Sequence, residues 1–191
     1  MQAAINGHLN SVLLLLHHGA RVDIQNCWGA TALVVASQGG CFGVVHTLIN
    51  HGANVNQGGM EEVKTLTPLM AASQNGHLEV VRELLQAGAN TEAKLKLTKW
   101  TALMLATLNN QVSVFKQCKP CSHSSSPPSL SPLPCLCPHT FLQASVVELL
   151  LQRGAKKEKC DVNDKNAADL ATGLGHHDVL SLLAGEKLSR H

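Results

Sequence analysis

Aromatic side chains are scarce in this chain, which has no tyrosine, two tryptophans and three phenylalanines among 191 residues. The core of a globular protein usually takes much of its buried area from such rings. Charged residues make up only 15%, and the formal net charge of +2 is too small to indicate a nucleic-acid partner. The apolar residues are mostly Leu, Val and Ala, which suits short, uniform contacts between helices.

Long apolar runs are also missing, since no stretch reaches the ~18 residues of a membrane-spanning helix. The N-terminal segment MQAAINGHLNSVLLLLHHGA does not have the pattern of a signal peptide. The seven cysteines are odd in number and unevenly placed, which does not indicate a secreted disulfide framework. We therefore expect no membrane association and a cytoplasmic location, with the nucleus as the alternative.

Catalytic motifs are absent from the sequence. It contains no Gly-rich phosphate loop, no H-E-x-x-H and no G-x-S-x-G. The eleven histidines are more simply explained by structural positions, in turns and at helix ends where they can face carbonyl groups. The sequence therefore predicts no enzymatic activity, no cofactor and no metal site.

What the chain does contain is an internal repeat. Gly-Ala follows a Leu-rich run at Gly19, Gly52, Gly88 and Gly154, and the last of the three intervals is nearly twice as long as the first two. A Thr-x-Leu unit recurs at Thr31, Thr67 and Thr101, at two intervals of similar length. Independent markers thus indicate one period of about 33 residues, which is within the range of known structural repeats.

Each unit predicts two helices and a loop. TALVVAS, TPLMAAS and TALMLAT place apolar residues on one face of a short helix, with Thr as its N-cap. A second helix follows in VVHTLI, VVRELL and VVELLL, and the glycine of Gly-Ala ends it in the left-handed conformation. A polar finger loop then leads to the next Thr. A single helix pair cannot bury its apolar face, whereas stacked pairs can.

Two segments carry a resemblance to a known family. GATALVVASQGGCFGVVHTLINHGANVN and TLTPLMAASQNGHLEVVRELLQAGANTE resemble the ankyrin repeat family in register over many positions. The resemblance implies an all-α solenoid of stacked helix-turn-helix units with finger loops. The histidine of the family's T-P-L-H motif is replaced here by Val34, Met70, Met104 and Asp169. We therefore expect stability to depend more on apolar packing.

Five units are predicted within an ankyrin repeat domain spanning 1–185. They cover about 1–25 (partial), 26–61, 62–95, 96–161 (interrupted) and 162–185 (degenerate), followed by a tail at 186–191. The fourth unit is longer than the period allows by nearly one whole repeat. Removing 113–144 joins TALMLATLNNQV to SVVELLLQRGAKKE, which aligns with the third unit without gaps. The segment is thus an insertion, and its Pro, Ser and Cys content predicts disorder.

Three interpretations of the 113–144 segment compete. A zinc site would use Cys118, Cys121, Cys135 and Cys137 with His123 and His139, but the second cysteine pair is C-x-C and the spacing pattern is incomplete. A polyproline docking peptide lacks even one P-x-x-P pair. We prefer the third interpretation, a translated intron end retained in an alternative transcript. SSSPPSLSPLPCLCPHTFLQ consists almost wholly of residues with pyrimidine-rich codons.

The family resemblance implies a monomeric scaffold that binds a protein partner through a concave groove and the finger loops, and that does not bind nucleic acid. By position, the first-helix surface would include Val35, Gln38, Ala71, Gln74, Asn75, Leu105 and Leu108. The candidate partner-binding residues are Trp28, Gln38, Gln74, Lys94, Lys96, Lys99, Trp100, Leu105, Leu108, Lys156 and Lys157. Because Met1 falls within a repeat, the alternative is a fragment or splice-variant isoform of a larger ankyrin repeat protein whose activity lies elsewhere.

Overall fold

The computed structural model describes residues 1–58, 66–109 and 146–185, and the regular structure in these ranges is α-helical. The helices are α1 (Gln2–Ile5), α2 (Leu9–His17), α3 (Ala32–Gln38), α4 (Phe42–Asn50), α5 (Pro68–Asn75), α6 (Leu78–Gln86), α7 (Ala102–Leu108), α8 (146–152), α9 (Ala167–Leu174) and α10 (His177–Ala184). Within these ranges, each of the five predicted units contributes two helices.

The helices form two packed layers. The first helices of the units stack in the order α1, α3, α5, α7 and α9, and α2, α4 and α6 form a second row. Within units, α1 packs on α2, α3 on α4, α5 on α6 and α9 on α10. This arrangement confirms the predicted all-α solenoid of stacked helix-turn-helix units.

The predicted N-caps begin the first helices. The hydroxyl oxygens of Thr31, Thr67 and Thr101 accept hydrogen bonds from the backbone N–H three residues on, at 3.3–3.4 Å. In the fifth unit the Asn166 side chain caps α9, and the Asp169 carboxylate accepts the Asn166 backbone N–H at 3.0 Å. Asp169 thus forms a capping box at the position where the family motif has histidine.

Equivalent leucines form the centre of the core. They are Leu33, Leu69 and Leu103 in the first helices and Leu48, Leu84 and Leu150 in the second helices, and all are fully or almost fully buried. Full burial of one such side chain contributes about 1.5–3 kcal/mol to folding. Leu150 in α8 is as buried as Leu84 in α6, so the helix that follows the long insertion takes its regular place in the core.

Residues 110–145 separate α7 from α8 and lie outside the described ranges, as do 59–65 and 186–191. The predictions of a disordered insertion at 113–144, of a zinc site in it and of a tail at 186–191 all fall on those residues. They remain predictions. Within the described ranges, no group of three or more His, Cys, Asp or Glu side chains is placed to hold a metal ion.

Candidate functional site

The finger loops are short turns closed by backbone hydrogen bonds. These run from the N–H of Asn26 to the carbonyl of Ala30, from Leu95 to Trp100 and from Asp161 to Lys165, at 2.9–3.0 Å. In each turn the residue two before the N-cap is left-handed, with φ of 74° at Gly29 and 57° at Lys99 and Asp164. The three described turns therefore share this left-handed residue, although the turn closed by Leu95 and Trp100 is one residue longer than the other two.

The side chain of Asn26 organises the first described finger turn. Its Oδ1 accepts the backbone N–H groups of Trp28 and Ala30, at 3.0 and 2.9 Å. This arrangement holds Trp28 at the tip of the finger, where it is 64% exposed. Trp28 therefore has the exposure that a partner contact requires, and its role in binding stays a prediction.

Asp161 organises the last described finger turn. Its Oδ1 accepts the backbone N–H groups of Asn163 and Lys165, at 2.7 and 3.0 Å. Its Oδ2 accepts the indole N–H of Trp100 in the preceding finger, at 3.3 Å. The hydrogen bond from the backbone N–H of Lys165 is the main cause that lowers the pKa of Asp161 below its usual value. Burial acts in the opposite direction, and the hydrogen bonds from Asn163 and Trp100 lower the pKa further. Half-buried Trp100 thus packs between two fingers.

A row of side-chain-to-backbone hydrogen bonds, the finger ladder, joins successive repeats. The three bonds run from the N–H of Asn54 to Asp23 at 3.1 Å, from Asn90 to Asn56 at 2.8 Å and from Lys156 to Glu92 at 3.0 Å. Each acceptor side chain lies four residues after the glycine of Gly-Ala. The third bond has the same form as the other two although it connects residues on opposite sides of 110–145.

The lysine side chains gather at one end of the molecule. The described ranges contain Lys94, Lys96, Lys99, Lys156, Lys157, Lys159 and Lys165, all in the two finger loops that precede α7 and α9. Lys157 donates to the carbonyl of Leu183 at 3.0 Å, near the end of α10, and Lys159 lies 3.9 Å from Glu92. Lys94, Lys96, Lys99 and Lys156 are exposed. Lys157 and Lys159 therefore also contribute contacts to the fold.

The first-helix surface is smaller than predicted from the sequence. Gln38 is exposed and Gln74 and Leu108 are half-buried, so each of the three remains accessible. The expectation that Ala71 and Leu105 lie on this surface is wrong. Ala71 is covered by Val34 and its apolar neighbours, and Leu105 is 4% exposed within the main core, where α7 is flanked by α5 and α9.

The turns between paired helices form a second set of contacts between repeats. The imidazole Nε2 of His77 lies 3.1 Å from the carbonyl oxygen of Gln38, and the Asn109 amide donates to the carbonyl of Gln74 at 2.8 Å. Gly40 has a φ of 70°, and a Cβ there would lie 2.6 Å from the His77 ring. These contacts were not predicted from the sequence. The recurring Gly-His pair was the signal that could have indicated the contact of His77.

The helix pairs stack on one another, and hydrogen bonds join neighbouring repeats at their fingers and turns. The molecule is therefore a helical repeat solenoid whose accessible side chains lie along its edges and at the loop tips. The family model described as ankyrin repeats (3 copies) matches residues 1–94 and 59–118. The chain belongs to the ankyrin repeat family. Ankyrin repeats are in general protein–protein interaction modules and are typically not enzymes. The comparison with curated proteins finds no match.

None of the described helices has the length and apolar character needed to cross a membrane.

Proposed function

We propose that this chain is a scaffold that binds a segment of a protein partner along the finger tips and the first-helix surface formed by Gln38, Gln74 and Leu108. The partner contacts side chains of several successive repeats at once. Because the repeats are stacked at a regular spacing, an extended partner segment meets one finger after another.

The finger ladder is the observation that carries this proposal. Three hydrogen bonds of the same form hold the finger bases together, while Trp28 and several lysines at the outer edge remain exposed. A binding surface whose backbone is already ordered loses less conformational entropy when the partner arrives. The hydrogen bonds of the finger ladder thus fix the backbone of the proposed binding surface before a partner binds.

The titratable groups support binding rather than catalysis. Among the described residues, the pKa departs from its usual value at Asp161 and His176. Asp161 is used to close a finger turn, and the pKa of His176 is lowered by burial. A shifted pKa indicates an active site when the group also faces an accessible cleft. Both of these side chains are buried.

A second proposal concerns the 113–144 segment, which we infer to be dispensable for the fold, as expected of a splice-variant isoform. Two contacts support it. Glu92 accepts the N–H of Lys156, and α7 packs directly on α9, so the repeats on either side of 110–145 remain joined. The proposal predicts that transcripts lacking this segment encode the same stack of repeats.

Site-specific photo-crosslinking tests the scaffold proposal. A benzophenone amino acid at position 38 or 74 should capture a protein from cell extract, and mass spectrometry of the adduct then identifies the bound segment. The same group at Arg82, exposed on the second-helix row, is the control. Adducts that form equally well at position 82, or at no first-helix position, would contradict the proposal.

A further inference from the structure

The fingers at 94–99 and 156–165, named the basic edge, combine positive charge with exposed apolar side chains. They contain seven lysines and three acidic residues, a net +4 by residue count, whereas the whole chain carries +2. The Asp161 carboxylate is turned inward among its hydrogen-bond donors and is buried. Glu158 and Asp164 are therefore the exposed carboxylates within the edge.

Two apolar side chains stand among these lysines. Leu97 is 66% exposed and Val162 is 53% exposed, and they occupy the same position in successive fingers, four residues before the N-caps Thr101 and Asn166. The two finger tips are joined directly, because the backbone N–H of Val162 donates to the carbonyl of Thr98 at 3.3 Å. Leu97 and Val162 therefore lie on neighbouring parts of one surface.

Hydrogen bonds within and between the two fingers fix the backbone of the basic edge. The indole of Trp100 donates to Asp161, and Lys99 adopts a left-handed φ of 57°, which is uncommon for a residue other than glycine. These contacts hold the lysine-bearing backbone in one conformation without help from a ligand. A surface with fixed charges and exposed apolar side chains suits a partner with the opposite charge and an apolar anchor.

We propose that the basic edge docks an acidic peptide segment that carries an apolar residue. The peptide's carboxylates pair with Lys94, Lys99 and Lys165, and its apolar side chain covers Leu97 and Val162. This inference rests on the scaffold proposal and names the chemistry of the partner. It also assigns the contact to the end of the stack formed by the fourth and fifth repeats.

Charge and chemistry favour a peptide over other polyanions. Trp100, the aromatic residue next to the edge, is half-buried and its indole donates a hydrogen bond to Asp161, so it is not free to stack on a base. The exposed carboxylates of Glu158 and Asp164 would repel a continuous row of phosphates or an anionic lipid surface. A peptide can avoid those two positions, because its own acidic residues are spaced along the chain.

Fluorescence anisotropy with a defined probe tests this inference on the full chain. The probe is a fluorescein-labelled peptide of about twelve residues that contains glutamates and two leucines, and its twin has glutamine in place of glutamate. The wild-type chain should bind the acidic probe with micromolar affinity and its twin at least tenfold more weakly. Exposed ion pairs are screened by salt, so binding should weaken as ionic strength rises.

Matched variants locate the contact. Lys94→Glu with Lys165→Glu should weaken binding about tenfold, and Lys94→Gln with Lys165→Gln about threefold, as expected for exposed charge pairs. Arg82→Glu with Arg153→Glu makes the same change in net charge on exposed residues outside the edge and should change affinity less than twofold. Leu97→Ser should weaken binding about threefold, whereas Leu14→Ser, at an exposed site in α2, should not.

The inference is overturned if the acidic probe does not bind at millimolar concentration, or if the arginine and lysine reversals act equally. It is also overturned if phosphatidylserine vesicles or an oligouridylate compete at lower concentration than the peptide. Failure of the scaffold proposal is distinguishable, because that would abolish crosslinking at positions 38 and 74. Crosslinks at those positions together with no probe binding would reject the basic edge alone.

Discussion

The junction between the second and third repeats and the junction between the fourth and fifth place histidine at the same position, with different results. His77 lies against Gly40, and its Nε2 contacts the carbonyl oxygen of Gln38 at 3.1 Å. His176 is only 9% exposed, and its Nε2 has no hydrogen-bond partner among residues 1–58, 66–109 and 146–185. A buried polar group without a partner costs about 1–3 kcal/mol.

The difference shows what the turn between paired helices requires. The preceding repeat must supply a glycine that leaves room for the ring and a carbonyl that faces it. In the fourth repeat, Asn110 stands at the position of Gly40. Asn110 is also the first residue of the 110–145 segment. The core leucines and the finger ladder are nevertheless kept. Among the described residues, the two junctions therefore differ at the histidine of this turn, and the variants below compare the two.

The largest effect is expected at the intact junction, from Gly40→Ala. The new Cβ meets the His77 ring at 2.6 Å, and the residue has a left-handed φ of 70°. We expect the free energy of unfolding to fall by about 2–4 kcal/mol, from backbone strain and overpacking together. Urea denaturation followed by circular dichroism measures this change.

Gly52→Ala is the matched control for the Gly40 variant. Gly52 has a φ of 82°, but no atom lies within 4 Å of the added Cβ. Backbone strain alone then costs about 1–2 kcal/mol. Equal losses in the two variants would show that the contact with His77 does not constrain the turn.

Removing residues 113–144 should stabilise the chain. The deletion leaves four residues between Asn109 and Val146, the same number as between Asn75 and Val80 in the third repeat. Shortening the connection roughly ninefold lowers the entropy cost of closing it by about 2 kcal/mol. Thermal unfolding measures the change. A less stable deletion variant would mean that the segment contributes contacts of its own.

The finger ladder should contribute equally before the interruption and across it. Asn56→Ala removes the acceptor of the Asn90 N–H, and Glu92→Ala removes that of the Lys156 N–H. Each should cost about 1–2 kcal/mol in the free energy of unfolding, as expected for a lost hydrogen bond. A negligible effect of Glu92→Ala beside a normal effect of Asn56→Ala would show that the interrupted repeat is not docked in solution.

The histidines themselves should respond differently to replacement by leucine. His77→Leu leaves the Gln38 carbonyl without its contact and should cost about 1 kcal/mol. His176→Leu removes a buried polar group that has no partner among the described residues, so it should be neutral or stabilising. Differential scanning calorimetry on both variants measures the contrast. A loss at position 176 equal to that at 77 would reveal an unrecognised partner for His176.

The smallest effect concerns pH. Burial lowers the pKa of His176 below its usual value, and the Asp178 carboxylate partly opposes this shift. Between the two pKa values the unfolded chain binds the proton more readily, so stability is complete above about pH 6.5 and falls as pH decreases. His176→Leu should flatten this part of the stability profile. A mutant profile as steep as that of the wild type would assign the effect to other histidines.

Much of the fold could be predicted from residue types alone. The caps Thr31, Thr67 and Thr101 and the left-handed glycines after the second helices are local features. They depend on interactions between residues close together in sequence, and the same residues recur in several repeats. The surface was harder to predict. Ala71 and Leu105 are buried by neighbouring repeats, and burial of that kind depends on the offset between layers.

The candidate site was only partly visible in the sequence. The lysine-rich fingers and the exposed Trp28 follow from position within the repeat, whereas the finger ladder does not. Acidic or amide side chains at Asp23, Asn56 and Glu92 were a usable signal. Their partners are backbone N–H groups, which carry no mark in the sequence. Pairing them requires knowing which turn of one repeat faces which turn of the next.

By itself, the sequence determined the repeat period, the helix pairs and the presence of a segment that interrupts the fourth repeat, because each of these follows from local chemistry repeated along the chain. The tertiary structure alone decided that Lys156 reaches Glu92 across that interruption, that Leu97 and Val162 share one edge, and that buried His176 has no partner within the part of the chain that the structure describes. Those facts depend on the stacking of one repeat on another, where residues far apart along the chain meet only after folding.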